Sequence, residues 1–295
     1  MQGKGGNAMV KSKRNRSEGW SHAKKDGHAN EEQFAEYLVA NDEFISKIEK
    51  HITKKFPKGL PEITTDGTKQ VESIFGDKTT SKVDVVMEWK SGELINISLK
   101  KSNNGQVWLV SVPRFISAIE IHLKHKMDAE AQIGISLFIG GTNLANYEDY
   151  FDQALVLDKK KNPIIAKQEA HQSRLVANSI QTHFPSVWEA TINFFNVNIE
   201  LITKLSFAQG LARYKKDIAD LIIYNKVTSG PSIFPIPKII QNSKSLTNKI
   251  SVASGPKNGG STLQLPTGFL QMHHPQSDNL LQFHHQYKKI SKLSL

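Results

Sequence analysis

Apolar residues recur along this chain with two different periods, and the switch between them marks its elements. Near the start, Glu31, Phe34 and Leu38 share one stripe at helical spacing. Phe44, Ile45, Ile48 and Ile52 form another. They predict helices over about 30–40 and 42–55, the first capped by Asn30, with Gln33 completing a box-like pattern. A Pro- and Gly-rich loop over 58–67 leads to 68–75, which reads as a strand or a short helix. The period then drops to two. Val83, Val85, Met87 and Trp89 oppose Asp84, Val86 and Glu88, and Ile95, Ile97 and Leu99 oppose Asn96, Ser98 and Lys100. Gln106 to Val112 reads as extended. Arg114 to Lys126 is helical, with Pro113 in a first-turn position. The unbroken apolar run Ile133 to Ile139, bounded by Gly140-Gly141, suits a buried strand. Helical spacing returns at Tyr147 to Leu155 and from Gln168 to Gly210, where Trp188, Ile192, Phe195 and Ile199 read as core. Ala219 to Tyr224 is a strand, and the three prolines of Ser229 to Lys238 mark an irregular connector. From Lys249 onward, Ile250 to Ala253, Ser261 to Leu265 and Gly268 to Met272 are short strands between turns. No internal repeat is visible. The order predicts an α/β (α+β) fold: a mixed β-sheet core flanked by helices, followed by a β-rich C-terminal part.

The two alternating segments around Lys90-Ser91-Gly92-Glu93 are a hairpin, and its register decides what meets what. A three-residue loop, Lys90-Ser91-Gly92, ends with glycine in the left-handed conformation of a G1 bulge. It sets Trp89 opposite Glu93 and Asp84 opposite Ser98, two residues from Lys100 on the same face. A two-residue Ser91-Gly92 loop would shift the pairing by one and separate them. A carboxylate and an ammonium on one face of a ribbon suit metal-dependent phosphodiester chemistry.

Composition narrows the setting. The 295 residues contain no cysteine, which excludes disulfides and cysteine-ligated zinc, and fits a cytoplasmic protein. Residues 1–25 lack the apolar core of a signal peptide, and no stretch has the apolar length of a membrane span. The net charge is +10. Seven Lys/Arg against Glu18 within residues 1–25 give +6, leaving +4 for the other 270. Most of that excess sits in a Gly-rich arm over 1–19, suited to phosphate contacts without sequence choice. Gly-rich pieces lack the lysine and spacing of a phosphate-binding loop, and there is no Gly-x-Ser-x-Gly elbow. The pairs His273-His274 and His284-His285 each offer one ring per strand face, a poor basis for a metal site.

The segment Ser81 to Gln106, with Asp84 and the run Ile97-Ser98-Leu99-Lys100-Lys101, resembles the active-site core of the PD-(D/E)XK nucleases, type II restriction endonucleases above all. The likeness is specific over Lys82 to Gln106; Ser98 stands where that family carries its second acidic residue. The resemblance implies sequence-specific hydrolysis of double-stranded DNA with one or two Mg²⁺ ions, leaving 5′-phosphate and 3′-hydroxyl ends. Asp84 and the main-chain carbonyl of Leu99 would hold the metal. Lys100 would orient the attacking water, Ser98 would supply a hydrogen bond, and Gln106 would support the site. The missing carboxylate falls to Glu31, since an early helix carrying a glutamate recurs in that family; Asp77 and Glu72 are weaker substitutes. Residues 20–165 would be the nuclease core and 166–295 a helical, then β-rich, recognition and dimerisation part packed with it. Lys101, Asn104, Gln271, His273, Gln282 and His284 are candidates for DNA contact, and the loops Ser243 to Lys249 and Lys257 to Ser261 for embracing it. A homodimer is expected for a palindromic target. A repair, recombination or mobile-element nuclease on the same core, and a non-catalytic nucleic-acid-binding protein with a decayed site, remain as alternatives.

Overall fold

The computed structural model describes residues 29–52, 55–65, 69–157, 174–226, 230–244, 251–253, 260–274 and 278–294. The basic arm and most of the two loops proposed to embrace DNA lie outside them. The strands are β1 (Glu62–Thr65), β2 (Gln70–Glu72), β3 (Lys78–Thr80), β4 (Val85–Glu88), β5 (Leu94–Lys100), β6 (Asn104–Val110), β7 (Leu221–Lys226), β8 (Gly230–Pro235), β9 (Ser251–Ala253), β10 (Thr262–Leu265), β11 (Gly268–His273) and β12 (Leu280–Gln286). The helices are α1 (29–39), α2 (Asp42–Glu49), α3 (Val112–Leu123), α4 (Ala129–Ile139), α5 (Glu148–Leu157), α6 (Ala177–His183), α7 (Pro185–Val197), α8 (Ile199–Lys204), α9 (Ile236–Lys244) and α10 (Tyr287–Leu293).

Two five-stranded sheets organise the molecule. The first runs β1-β4-β5-β7-β8 and is mixed, because β5 pairs with β7 in parallel while its other pairs are antiparallel. The second runs β6-β12-β11-β10-β9 and is antiparallel. Both sheets draw strands from each half of the sequence. A parallel neighbour needs a long crossover. Here the chain between β5 and β7 supplies β6 and a block of helices. Asn96 pins the crossover's end: its N–H donates to Asp220 Oδ2 at 2.9 Å, and its amide donates to the carbonyls of Lys216 and Ile218.

The first sheet separates two hydrophobic clusters. Val85, Met87, Ile95, Ile97, Leu99, Leu221 and Ile223 face Phe34, Leu38, Phe44, Ile45 and Ile48 of α1 and α2. On the other side Val86, Ile222, Tyr224 and Phe234 join a larger core. There they meet Trp108, Phe283 and Leu281 from the second sheet and Phe115, Phe194 and Phe195 from the helices.

Several expectations are corrected. Ile133 to Ile139 is not a strand but the C-terminal part of α4. Asp128 starts that helix by accepting from Ala131 N at 3.0 Å, and every residue from Gly134 to Ile139 is buried. A helix enclosed on all sides loses its amphipathic period and reads like a buried strand. The presumed connector over 229–238 holds β8 and the start of α9. Its prolines stay within their rules: Pro231 and Pro235 lie on an edge strand, and Pro237 in a helix's first turn. Asn30 lies within α1 rather than capping it, and is buried while accepting from Asn225. The side-chain cap in this region is Asn41, which accepts from Phe44 N at 3.0 Å. The second helix ends at Glu49 rather than at residue 55.

Candidate active site

The hairpin has the three-residue loop. Gly92 takes φ +89°, its N–H donates to the Trp89 carbonyl at 2.8 Å, and Trp89 N donates to the Glu93 carbonyl at 3.0 Å. Val85 pairs with Ile97 and Glu88 with Leu94, so the next position back sets Asp84 opposite Ser98. Asp84 N donates to the Ile97 carbonyl at 2.8 Å and closes that end of the ribbon.

Donors converge on one oxygen, Oδ2 of Asp84. Leu99 N–H reaches it at 2.6 Å and Ser98 Oγ at 3.2 Å, and Lys100 Nζ stands 3.6 Å away. Lys100 also donates to Ser98 Oγ at 2.9 Å and to the Leu99 carbonyl at 3.2 Å. The side chains of Asp84 and Lys100 keep about a fifth of their surface, at 18% and 21%. That is enough for solvent and substrate to enter, yet little enough for the local field to count. Among the described residues the hydrogen bonds to the Asp84 carboxylate go to Oδ2.

The oxygens available to a metal are Asp84 Oδ1 and the Leu99 carbonyl. Both are hard donors of the kind Mg²⁺ takes, and that ion is commonly held by one or two carboxylates with waters and substrate phosphates completing its shell. Among the described residues there is no group of three or more His, Asp or Glu placed to hold an ion. The donor set therefore fits magnesium shared with a phosphate better than a closed structural site. Glu31 is half-buried at the start of α1, beside Asn30 and the end of β7, on the helix layer covering the sheet face opposite Asp84. The substitutes are engaged elsewhere. Asp77 binds Arg114 at 2.5 Å and Ser73, and the Arg114 hydrogen bond leads in holding its carboxyl well below the usual range. Glu72 binds Arg213 at 2.5 Å and Tyr214 at 2.9 Å.

Gln106 belongs to a second group. Its Oε1 accepts from Gln282 at 2.7 Å, Gln282 accepts from Gln271 at 2.8 Å, and Gln271 also meets His284 Nε2 at 3.3 Å. His284 stacks on Phe269 with centroids 4.5 Å apart and planes at 8°. All of these lie on the outer face of the second sheet, together with His273 by strand alternation. Lys101 and Asn104 are exposed at the turn from β5 into β6. The sequence candidates thus form two assemblies: Asp84, Ser98 and Lys100 on the first sheet, and Gln106, Gln271, Gln282 and His284 on the second. The histidine pairs split as strand geometry requires, His284 outward and His285 inward with 2% exposure.

Three residues near the site were not among the sequence candidates for it, although His285 belongs to a histidine pair noted above. Lys82, two before Asp84, lays its stem against Gly210 and donates to the Val107 carbonyl. Burial, with Lys100 nearby, pulls its ammonium down to about 7 against the opposing pull of Asp84. Tyr224, fully buried, stands opposite Lys100 across the β5–β7 ladder and bonds His285 Nδ1 at 2.7 Å. Burial first, and then Lys100 and His284, pull His285 down to about 3. This imidazole is neutral in the folded chain and titrates near 6.5 once unfolded. The unfolded chain binds the extra proton between those values, so stability is full above about 6.5 and falls as pH drops towards 3. Lowering the pH from 7.5 to 5 should cost about 2 kcal/mol through this group. Chemical denaturation at both pH values, wild type against His285→Gln, measures it; equal pH dependence in the two would refute the assignment.

No protein-family model matches the chain, and no curated protein does. Among solved structures, a crystal structure of the restriction endonuclease MspI in complex with its cognate DNA is similar. The match covers 82% of this chain and 77% of that one, at 11% identity and a TM-score of 0.43.

Proposed function

We propose that the chain is a magnesium-dependent endonuclease of double-stranded DNA, of the type II restriction kind. The observation that carries this reading is the meeting of Asp84, Ser98 and Lys100 on one side of the hairpin, beside the Leu99 carbonyl. A bound Mg²⁺ would supply Lewis acidity at the scissile phosphate and a lowered pKa for the attacking water. Asp84, with Glu31 and the Leu99 carbonyl, would hold that ion, and Leu99 N–H fixes the Asp84 carboxylate in place. Lys100 would orient the water and offset charge developing on the phosphoryl oxygens. Ser98 keeps the Lys100 ammonium over the site by accepting its hydrogen bond. In-line attack would leave a 5′-phosphate and a 3′-hydroxyl.

The glutamine and histidine face of the second sheet is the natural reader of base edges, because amides present a donor and an acceptor side by side. Gln271, Gln282, His273 and His284 would read bases, and Lys101 and Asn104 would position the backbone. A palindromic target would be met by a homodimer.

The test is direct. Purified protein is incubated with plasmid DNA in Mg²⁺ or EDTA, and the ends are sequenced. Fixed-site cuts in Mg²⁺ alone are expected; intact plasmid in both would overturn the reading. Within it, Lys100→Met should slow single-turnover cleavage by about a hundredfold while duplex affinity stays within a few-fold. Unchanged cleavage would remove Lys100 from the mechanism.

A further inference from the structure

The catalytic hairpin and the amide face belong to different sheets, and two polar contacts cross between them beside both assemblies. The first is Lys82 Nζ to the Val107 carbonyl. Val107 occupies the bulge of β6: Trp108 pairs with Phe283 and Gln106 with His284, so one residue on β6 has no partner across the ladder. Such a bulge re-aims the residue beside it, and here that residue is Gln106, the end of the amide chain. The second contact is Tyr224 to His285. Tyr224 is the ladder partner of Lys100, and His285 is the chain neighbour of His284.

Each contact therefore starts beside a residue of the hairpin site and ends beside a residue of the amide face. Both lie in or against a largely apolar core, and each satisfies one polar atom there, the Val107 carbonyl or His285 Nδ1. Burying a lysine to hold a single main-chain carbonyl gains little stability. Its placement is explained by what it joins.

We propose that Lys82 and the Tyr224–His285 pair are positioning residues that make cleavage depend on correct base contacts, by tying the β6 bulge and β12 to Asp84 and Lys100. The inference rests on the endonuclease reading above. A wrong base pair under Gln106 or His284 displaces the bulge or β12, and the displacement reaches Asp84 and Lys100 through these two contacts.

Once the cut site is mapped, single-turnover rates are measured on the cognate duplex and on one with a single changed base pair. Wild type is compared with Lys82→Met, Tyr224→Phe and Lys100→Met. In Lys82→Met and Tyr224→Phe the cognate rate should fall, and the cognate to near-cognate ratio should fall at least tenfold. Affinity for the cognate duplex should stay within threefold. Lys100→Met removes one of the two groups through which the contacts act, so it should slow the cognate duplex more than the near-cognate one and lower the ratio as well. A purely structural role would instead lower the melting temperature and the affinity together. Tyr224→Phe removes one oxygen and keeps the ring, so it remains informative if Lys82→Met folds poorly. Wild-type protein that cuts, with variants that keep its ratio, overturns the coupling alone; wild-type protein that leaves DNA intact in Mg²⁺ overturns both readings.

Discussion

Asp84→Asn should reduce magnesium-dependent cleavage on the order of a thousandfold, equivalent to about 4 kcal/mol of transition-state stabilisation, while duplex binding in Ca²⁺ or EDTA is retained. Asparagine is a sharper test than alanine. The carboxylate accepts from Leu99 N–H at 2.6 Å and from Ser98, and Leu99 is buried. Alanine would strand that N–H and confuse lost chemistry with a loosened hairpin. The amide oxygen still accepts, and only the negative charge is lost. Lys100, 3.6 Å away, keeps its bonds to Ser98 and the Leu99 carbonyl. Cleavage by Asp84→Asn at the wild-type rate in magnesium would place the metal elsewhere. Loss of binding along with cleavage would mean that the residue shapes the DNA surface instead.

The second large effect is structural. Gly268→Ala should destabilise the protein by roughly 3 kcal/mol or more and remove DNA binding, because a β-carbon there collides with main chain. It would lie 1.8 Å from the His284 carbonyl oxygen and 2.7 Å from its carbon. Neither atom can swing aside as a side chain does. Gly268 pairs with His285 in the β11–β12 ladder, and its own carbonyl takes the Lys289 ammonium at 2.8 Å, as the Leu265 carbonyl does at 2.9 Å. The clash therefore falls where α10 clamps the β10–β11 turn, next to the stacked Phe269 and His284. Thermal unfolding and duplex binding measure the result; an unchanged melting temperature with normal affinity would refute it.

The sequence made the hairpin legible because three local signals agreed: strict alternation on both strands, a glycine at the third loop position, and charged residues on a shared face. Gly92 at φ +89° and the Asp84–Ser98 pairing follow from those alone. Helices with one exposed face, such as α2, were equally plain. Ile133 to Ile139 misled because burial on every side erases the period that separates helix from strand. The parallel β5–β7 pairing and the split of the candidates into two assemblies depend on contacts between distant residues, to which local patterning is blind. Gln106 illustrates the point. It lies six residues from Lys100 in sequence, yet its hydrogen bond goes to Gln282. Lys82 and Tyr224 look like ordinary residues until the two sheets are set side by side, and only then does the inward member of the His284-His285 pair find its partner.

The parallel ladder between β5 and β7 also fixes when the hairpin site can mature. Lys100 gains its neighbour Tyr224 only after more than a hundred further residues have been synthesised, and β12 follows later still. A nascent chain emerging from the ribosome carries Asp84 and Lys100 early but lacks the frame that aligns them. A chain cut short before β7 would thus carry Asp84 and Lys100 without the frame that sets them against Tyr224 and β12.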